Sequence, residues 1–307
     1  MKFSEKKESP LKQKVVPQDV SSEQIRALVS LLGDDDLEIR KIARQQLLLI
    51  GADATDILDE YVRADGEGKT RIQARALIHQ INRQDLLHRF HLLSIWRDED
   101  IDLEQGTFLL AKFSYPRLTL REISAELDRL ARRVQDITDG SETGSEYVEA
   151  INQVLFEEEG FRGNTENYYS AENSFLNVVL ARRSGIPITL SLIYMLIGER
   201  LKLPIYGVNM PMHFLCMYDE APEPFFIDAF NRGHIMTRLE CIAFLKRSGV
   251  GFRESYLARA SNREILIRMI RNLILVYYHN EKEREAAFLK QLLKILKHYA
   301  KKRKEDL

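Results

Sequence analysis

A mostly helical α+β protein is what this chain predicts, and three observations carry the prediction. Apolar residues recur every three or four positions before residue 85 and again after residue 260, the spacing of helices that bury one face. Between those stretches, a run beginning at Pro187 is apolar almost all round, as in a helix enclosed by its own domain. Directly after it come short apolar and aromatic runs separated by proline and acidic turns, the pattern of a small antiparallel sheet.

Residues 1–20 are polar and punctuated by proline, which predicts a flexible arm. Ser21 can cap a first helix with Ile25, Leu28, Val29 and Leu32 on one face. Ile39, Ile42, Ala43 and Leu47 make the next apolar stripe, with Gly33 and Gly51 as stops. The phrase DDLEIRKIARQQLLLIG, echoed by GKTRIQARALIHQI, resembles the paired helices of HEAT-type repeats. Residues 21–90 are therefore expected to be HEAT-like helices, too few to bury both faces alone and so expected to dock on a core domain. That core is placed at residues 91–255. It opens with two helices around the Tyr115-Pro116 break, the second carrying Leu120, Ile123, Leu127 and Leu130 on one face, and continues through the loop GSETGS into YVEAINQVLFEEEG. Residues 256–307 read as a helical hairpin turning at Asn280-Glu281, followed by a basic tail.

The most informative stretch is 164–228. Gly185 can end one conformation without steric cost, and Pro187 suits the first turn of a helix, where its missing N–H would have no partner anyway. That helix is expected to run to about Lys202, with Pro204 closing it. IYGVNM then reads as a strand broken by Pro211, HFLCMY as a second, the segment 219–222 as a turn, and residues 225–228 as a third strand. His213 and Asp228 should thus lie opposite each other on neighbouring strands, where the carboxylate would fix the imidazole tautomer.

Several phrases together resemble a known family. NQVLFEEEGFRGN, NSFLNVVLARRSGIPITLSLIY, MPMHFL, IDAFNRG and REILIRMIRNLILVYY look like the SirB-type bacterial proteins, whose central domain is transglutaminase-like (papain-like). The resemblance covers about residues 103–296. It implies a core with the fold of a cysteine hydrolase and a tetratricopeptide-like C-terminal hairpin. It also implies that His213 corresponds to the general base and Asp228 to the carboxylate that orients it. The superfamily thiol, at the first turn of the central helix, would fall on or next to Pro187, which has no nucleophile. The sequence departs from the family pattern at Met212 and Arg232, where glycine is usual, and at Ala229, where proline is usual.

Thr189 and Ser191 lie in the first turn of that helix and are the hydroxyls nearest the vacant thiol position, where the helix dipole would favour a developing negative charge. A hydroxyl needs a well-placed base far more than a thiol does, and both could simply bond to backbone. Cys216 falls on the opposite strand face from His213, and Cys241 on the apolar side of a helix, so both read as core residues. Asn173 or Ser174 can cap SFLNVVLARR, and Asn177 could hold the loop at Gly185 or bond a ligand carbonyl. Arg182 and Arg183 could clamp a ligand or pair with the acidic run at 157–159. His88 and His91 lack a third ligand, so neither metal nor cofactor is expected.

Composition narrows the function further. The chain is 45% hydrophobic and 30% charged with a net charge of -1, which gives no global attraction to nucleic acid. No apolar run is long enough to span a membrane, and two distant cysteines suit a reducing compartment, so cytoplasm is the expected location. The expectation is a non-catalytic, regulatory or scaffolding protein with a protein or peptide partner. The alternative is a hydrolase or acyl transferase using His213 and Asp228 with Ser191 or Thr189. Substrate and oligomeric state are not legible.

Overall fold

The computed structural model describes residues 20–63, 68–138, 143–220 and 223–305, with side chains described as far as residue 298. The arm expected at 1–20, apart from Val20, part of the GSETGS loop and half of the turn at 219–222 lie outside these residues, as do the side chains at the end of the basic tail. The chain divides into two compact units, residues 1–85 and 86–307. Both are dominated by helices.

The first unit contains α1 (Ser22–Ser30), α2 (Leu37–Ile50), α3 (Thr55–Arg63) and the start of α4 (Lys69–Ser94). Ser21 and Gln24 form a reciprocal capping box on α1, and Asp36 caps α2. Ile25, Val29, Leu32, Ala43, Leu47, Leu58, Leu77 and Ile81 make a continuous core. One expectation is corrected here: Ile39 and Ile42 are exposed, Ile42 by 57%. The spacing of α2 contains two apolar stripes, and the unit buries the one led by Ala43 and Leu47.

The second unit is built around a single buried helix. Its leading helices are α5 (Leu103–Lys112), α6 (Leu120–Ile137) and α7 (Gly144–Asn152), the last continuing as a π-helical turn, Gln153–Glu158. A two-residue parallel pairing of β1 (Arg162–Gly163) with β2 (Ser184–Gly185) brackets the 3-10 turn Ala171–Ser174 and α8 (Leu176–Arg182). The central helix α9 (Pro187–Arg200) has Pro187 in its first turn, and its residues through Gly198 are all buried. This burial explains its composition: a helix contacted on every side has no polar face to keep.

A four-stranded antiparallel meander follows, β3 (Ile205–Val208), β4 (Leu215–Tyr218), β5 (Phe225–Asp228) and β6 (His234–Met236), in that spatial order. Because strand side chains alternate, Cys216, Tyr218 and Ile227 join the core around α9, while Leu215, Met217 and Phe226 turn to the other face. There they meet Cys241 and Leu245 of α10 (Arg238–Arg247). The C-terminal hairpin, α11 (Asn262–His279) and α12 (Glu283–Glu305), packs its apolar residues into the α9 core rather than forming a core of its own. Glu281 takes the left-handed conformation at the turn between them. Among the described residues no helix is long and apolar enough to cross a membrane.

Candidate functional site

Asp228 is fixed first, because it closes β5 and caps the 3-10 turn Ala229–Asn231. Its Oδ1 accepts the backbone N–H groups of Phe230 (3.1 Å) and Asn231 (3.2 Å), and its Oδ2 accepts the Asn231 side-chain amide at 2.7 Å. The His213 Nε2 lies 2.9 Å from the same Oδ2. At that separation the ring N–H is not well aligned with the oxygen, so Nε2 is a close polar contact without a formed hydrogen bond. Burial pulls the Asp228 carboxyl up, but the close imidazole of His213 and the N–H groups of Asn231 outweigh it and leave the group below its ordinary value.

His213 does not lie on the strand, as HFLCMY suggests. It sits in the turn ahead of β4, its N–H donating to the Met210 carbonyl at 3.3 Å. Met212 just before it has φ +66°, and Arg232 beyond Asp228 has φ +56°. These left-handed positions are the two at which the family resemblance implies glycine, so the local backbone is kept at the cost of strain. The imidazole is held between Phe230, edge-on at 6.2 Å, and Phe244 at 5.6 Å.

A cleft of about 160 Å³ opens onto His213 at the start of α9, lined by Ile186, Pro187 and Ile188 on that side. Ser174, Arg268 and Asn272 supply polar groups on the remaining walls, and Tyr168, Tyr169, Met212 and Leu275 supply exposed apolar surface. The Ser174 hydroxyl is buried and has no hydrogen-bond partner among the described residues. In the sequence Ser174 reads, with Asn173, as a cap for α8, and nothing singles out Arg268, Asn272 or the two tyrosines. The signal available was weak: Arg268 and Asn272 stand one helical turn apart, on a helix that carries other polar residues such as Arg263, Glu264 and Arg271.

The other candidate residues are engaged with the protein itself. The Thr189 hydroxyl donates to the Asn173 carbonyl at 2.8 Å, and the Ser191 hydroxyl to the Phe214 carbonyl at 3.4 Å; both side chains are fully buried. Asn173 does not cap α8; its amide donates to the carbonyls of Asn167 and Tyr168 and accepts from Asn164, tying the loop together. Phe175 stands at the α8 cap without a side-chain bond. Asn177 is the exception: its Oδ1 is buried without a partner among the described residues, but it does not line the cleft. Arg182 pairs with Glu172 rather than with the 157–159 run. Arg183 does reach that run, bonding Glu159 at 2.8 Å together with Glu126. Neither thiol is poised for attack: burial pushes both Cys216 and Cys241 up to about 12, and Cys216 donates to the Ser191 carbonyl. Among the described residues no three His, Cys, Asp or Glu side chains gather as a metal ion would require.

Comparison with known proteins places this geometry. Residues 121–271 match the transglutaminase-like superfamily, a span that contains His213, Asp228, Ser174 and Arg268. A UPF0162 protein of Xylella fastidiosa is 30% identical over 222 residues, covering 67% of this chain and 78% of that protein. A UPF0162 protein of Vibrio cholerae is 31% identical over 152 residues, 48% of this chain and 56% of that protein. Human F-box only protein 21 is 26% identical over 231 residues, 66% of this chain but only 36% of its own length, so the chain spans little more than a third of that relative. No solved structure matches.

Proposed function

For a chain that belongs to the UPF0162 family and carries a transglutaminase-like domain, we propose a regulatory or protein-interaction role in which the cleft binds a partner and does no covalent chemistry. One observation carries this reading. The cleft reaches His213 and the first turn of α9, where the resemblance implies a thiol, and that turn offers Pro187 and two hydroxyls already bonded to backbone carbonyls. A general base whose helix-start hydroxyls are both held by backbone carbonyls can orient or bind, but has no acyl acceptor at the position the superfamily uses. His213, with Asp228 beside it, then acts as part of a polar wall. Read as HEAT-like and tetratricopeptide-like helices, residues 21–90 and 256–307 fit the same scaffolding role, with a protein or peptide as the partner and the cytoplasm as the compartment.

A second reading, a hydrolase or acyl transferase, rests on Ser174, whose unpartnered hydroxyl lines the same cleft as His213. Turnover of p-nitrophenyl acyl esters by the full chain separates the two. The binding reading expects the same rate for wild type, Ser174→Ala and His213→Ala. Saturable hydrolysis that either substitution abolishes would establish the enzyme instead.

A further inference from the structure

Two buried polar atoms of the cleft wall, Ser174 Oγ and His213 Nε2, have no hydrogen-bond partner among the described residues, and the cleft's one arginine has no carboxylate. Arg268 is half-buried, and its guanidinium donates through Nη1 to the Asn209 side chain and to the Met210 carbonyl at 2.8 Å. No carboxylate pairs with it among the described residues, and burial pulls its guanidinium down from its ordinary value. An arginine stays charged in such a place, so the missing counter-charge is an energetic deficit that an anion would relieve. The first turn of α9, a helix of 14 residues, points its positive end at the same space. Ser174, only 2% exposed, holds an unpartnered hydroxyl on the cleft wall. Asn272, one turn from Arg268, makes no side-chain hydrogen bond among the described residues and so offers both a donor and an acceptor.

The rim has the opposite character. Tyr169 (67% exposed), Met212 (72%) and Leu275 (67%) leave large apolar surfaces in water around this one cleft, with Tyr168 edge-on to Tyr169 at 5.4 Å. A free anion such as phosphate would satisfy Arg268 and leave that rim unused. An internal acidic side chain would use the charge but has no main-chain group at the cleft floor for the amide of Asn272. A chain end supplies a carboxylate, an adjacent peptide group and an apolar side chain within one residue, and a cavity of about 160 Å³ has room for one residue.

We infer that the cleft holds the C-terminal residue of a partner peptide: Arg268 pairs with the terminal carboxylate, Ser174 and Asn272 bond its polar atoms, and the Tyr168, Tyr169, Met212 and Leu275 rim takes its apolar side chain. This rests on the binding reading above and names the ligand of that same site. His213, with Asp228 beside it, closes the wall.

The test uses the full chain and fluorescein-labelled peptides randomised in their last three residues, each made as the free acid and as the C-terminal amide. Free acids ending in an apolar residue should bind, and the matching amides should bind at least about tenfold more weakly. Arg268→Gln should erase that difference, Arg268→Lys should keep part of it, and Ser174→Ala should weaken acids more than amides. Circular dichroism of each variant checks that the fold is retained. Equal binding of acids and amides, a preference that survives Arg268→Gln, or no binding by any peptide would overturn the inference. Mass spectra of the peptides after incubation keep the two claims apart: shortened or acyl-transferred peptide refutes the non-covalent reading, whereas intact peptide bound without an acid preference refutes only the assignment of its C-terminus.

Discussion

Arg263 and Arg268 both belong to α11 and teach opposite lessons. Arg263 is 1% exposed and fully employed: its guanidinium pairs with Asp98 and donates to the carbonyls of Leu296 (3.1 Å), Ser94 (3.1 Å) and Trp96 (2.7 Å). Little more than a turn later, Arg268 faces the cleft with no carboxylate among the described residues. Buried polar groups that serve the fold are almost always satisfied by it. Of the three buried side-chain atoms left without a partner among the described residues, two, on Ser174 and His213, line this one opening and the third, on Asn177, does not; such places are where a fold gives up internal consistency for the sake of something outside it.

The sharpest way to break this comparison is to truncate both arginines. Arg263→Ala leaves three carbonyls without their donor and empties a buried side-chain site, and should cost about 2–4 kcal/mol in urea unfolding, chiefly from the unsatisfied carbonyls because Asp98 is 40% exposed. Arg268→Ala should change stability by less than about 1 kcal/mol, since few internal bonds are lost and an uncompensated charge is relieved. Comparable losses would mean that Arg268 is structural.

Asp228 belongs with Arg263 in this scheme, as a group that the fold uses several times over. Asp228→Ala removes the acceptor for Phe230, Asn231 and the His213 contact, and should cost about 2–3 kcal/mol. The acid dependence has a definite sign. A carboxyl held below its ordinary 3.8 stabilises the fold above that pH, and the contribution disappears as pH falls through the lower folded value. Wild type and Asp228→Asn should therefore converge in stability below about pH 3.8, a window that chemical unfolding at stepped pH can follow.

Next in size is Glu159, the hub of a network with Arg129, Arg133 and Arg183 that ties α6 to the loop after α8. Hydrogen bonding from Arg129, against the pull of burial and with help from the other arginines, holds its carboxyl at about 2. That stabilisation is complete above the ordinary 4.5 and is lost between there and about pH 2. Glu159→Gln should cost about 1–2 kcal/mol at neutral pH, a value discounted for the water around the arginines, and should flatten the pH dependence across the same window.

The smallest effect has the reverse sign. Met212 is held at φ +66° beside His213, so Met212→Gly should relieve strain and gain roughly 0.5–1 kcal/mol after the added freedom of the unfolded chain is counted. A thermal shift of the substituted protein measures it. A loss would show that the Met212 side chain anchors the turn.

Where burial alone determines a residue, the sequence was a good guide. The all-round apolar composition from Ile188 to Ile197 can only suit an enclosed helix, and α9 is one. His213 and Asp228 do come together, but not as partners on facing strands: His213 stands in the turn ahead of β4, whose position the apolar run HFLCMY did not reveal. Ile39 and Ile42 misled because helical periodicity shows which residues share a face and not which of two faces is covered. The two-residue pairing of β1 with β2 and the short strand β6 left too few residues to establish a period. Ser174 and Arg268 were missed for a deeper reason. Their significance is the lack of a partner, and a missing partner has no sequence pattern, because it depends on what the whole fold brings within reach.

Covalent trapping tests the central claim most directly. The full chain is incubated with a fluorophosphonate and, separately, with an activated acyl ester, and its intact mass is then followed with time. A cleft built to bind should leave the folded protein at its native mass with both reagents, because Thr189 and Ser191 are bonded to carbonyls and the two thiols are held up at about 12. A stoichiometric adduct that maps to Ser174, Thr189 or Ser191 and is lost in His213→Ala would contradict the account and identify the nucleophile.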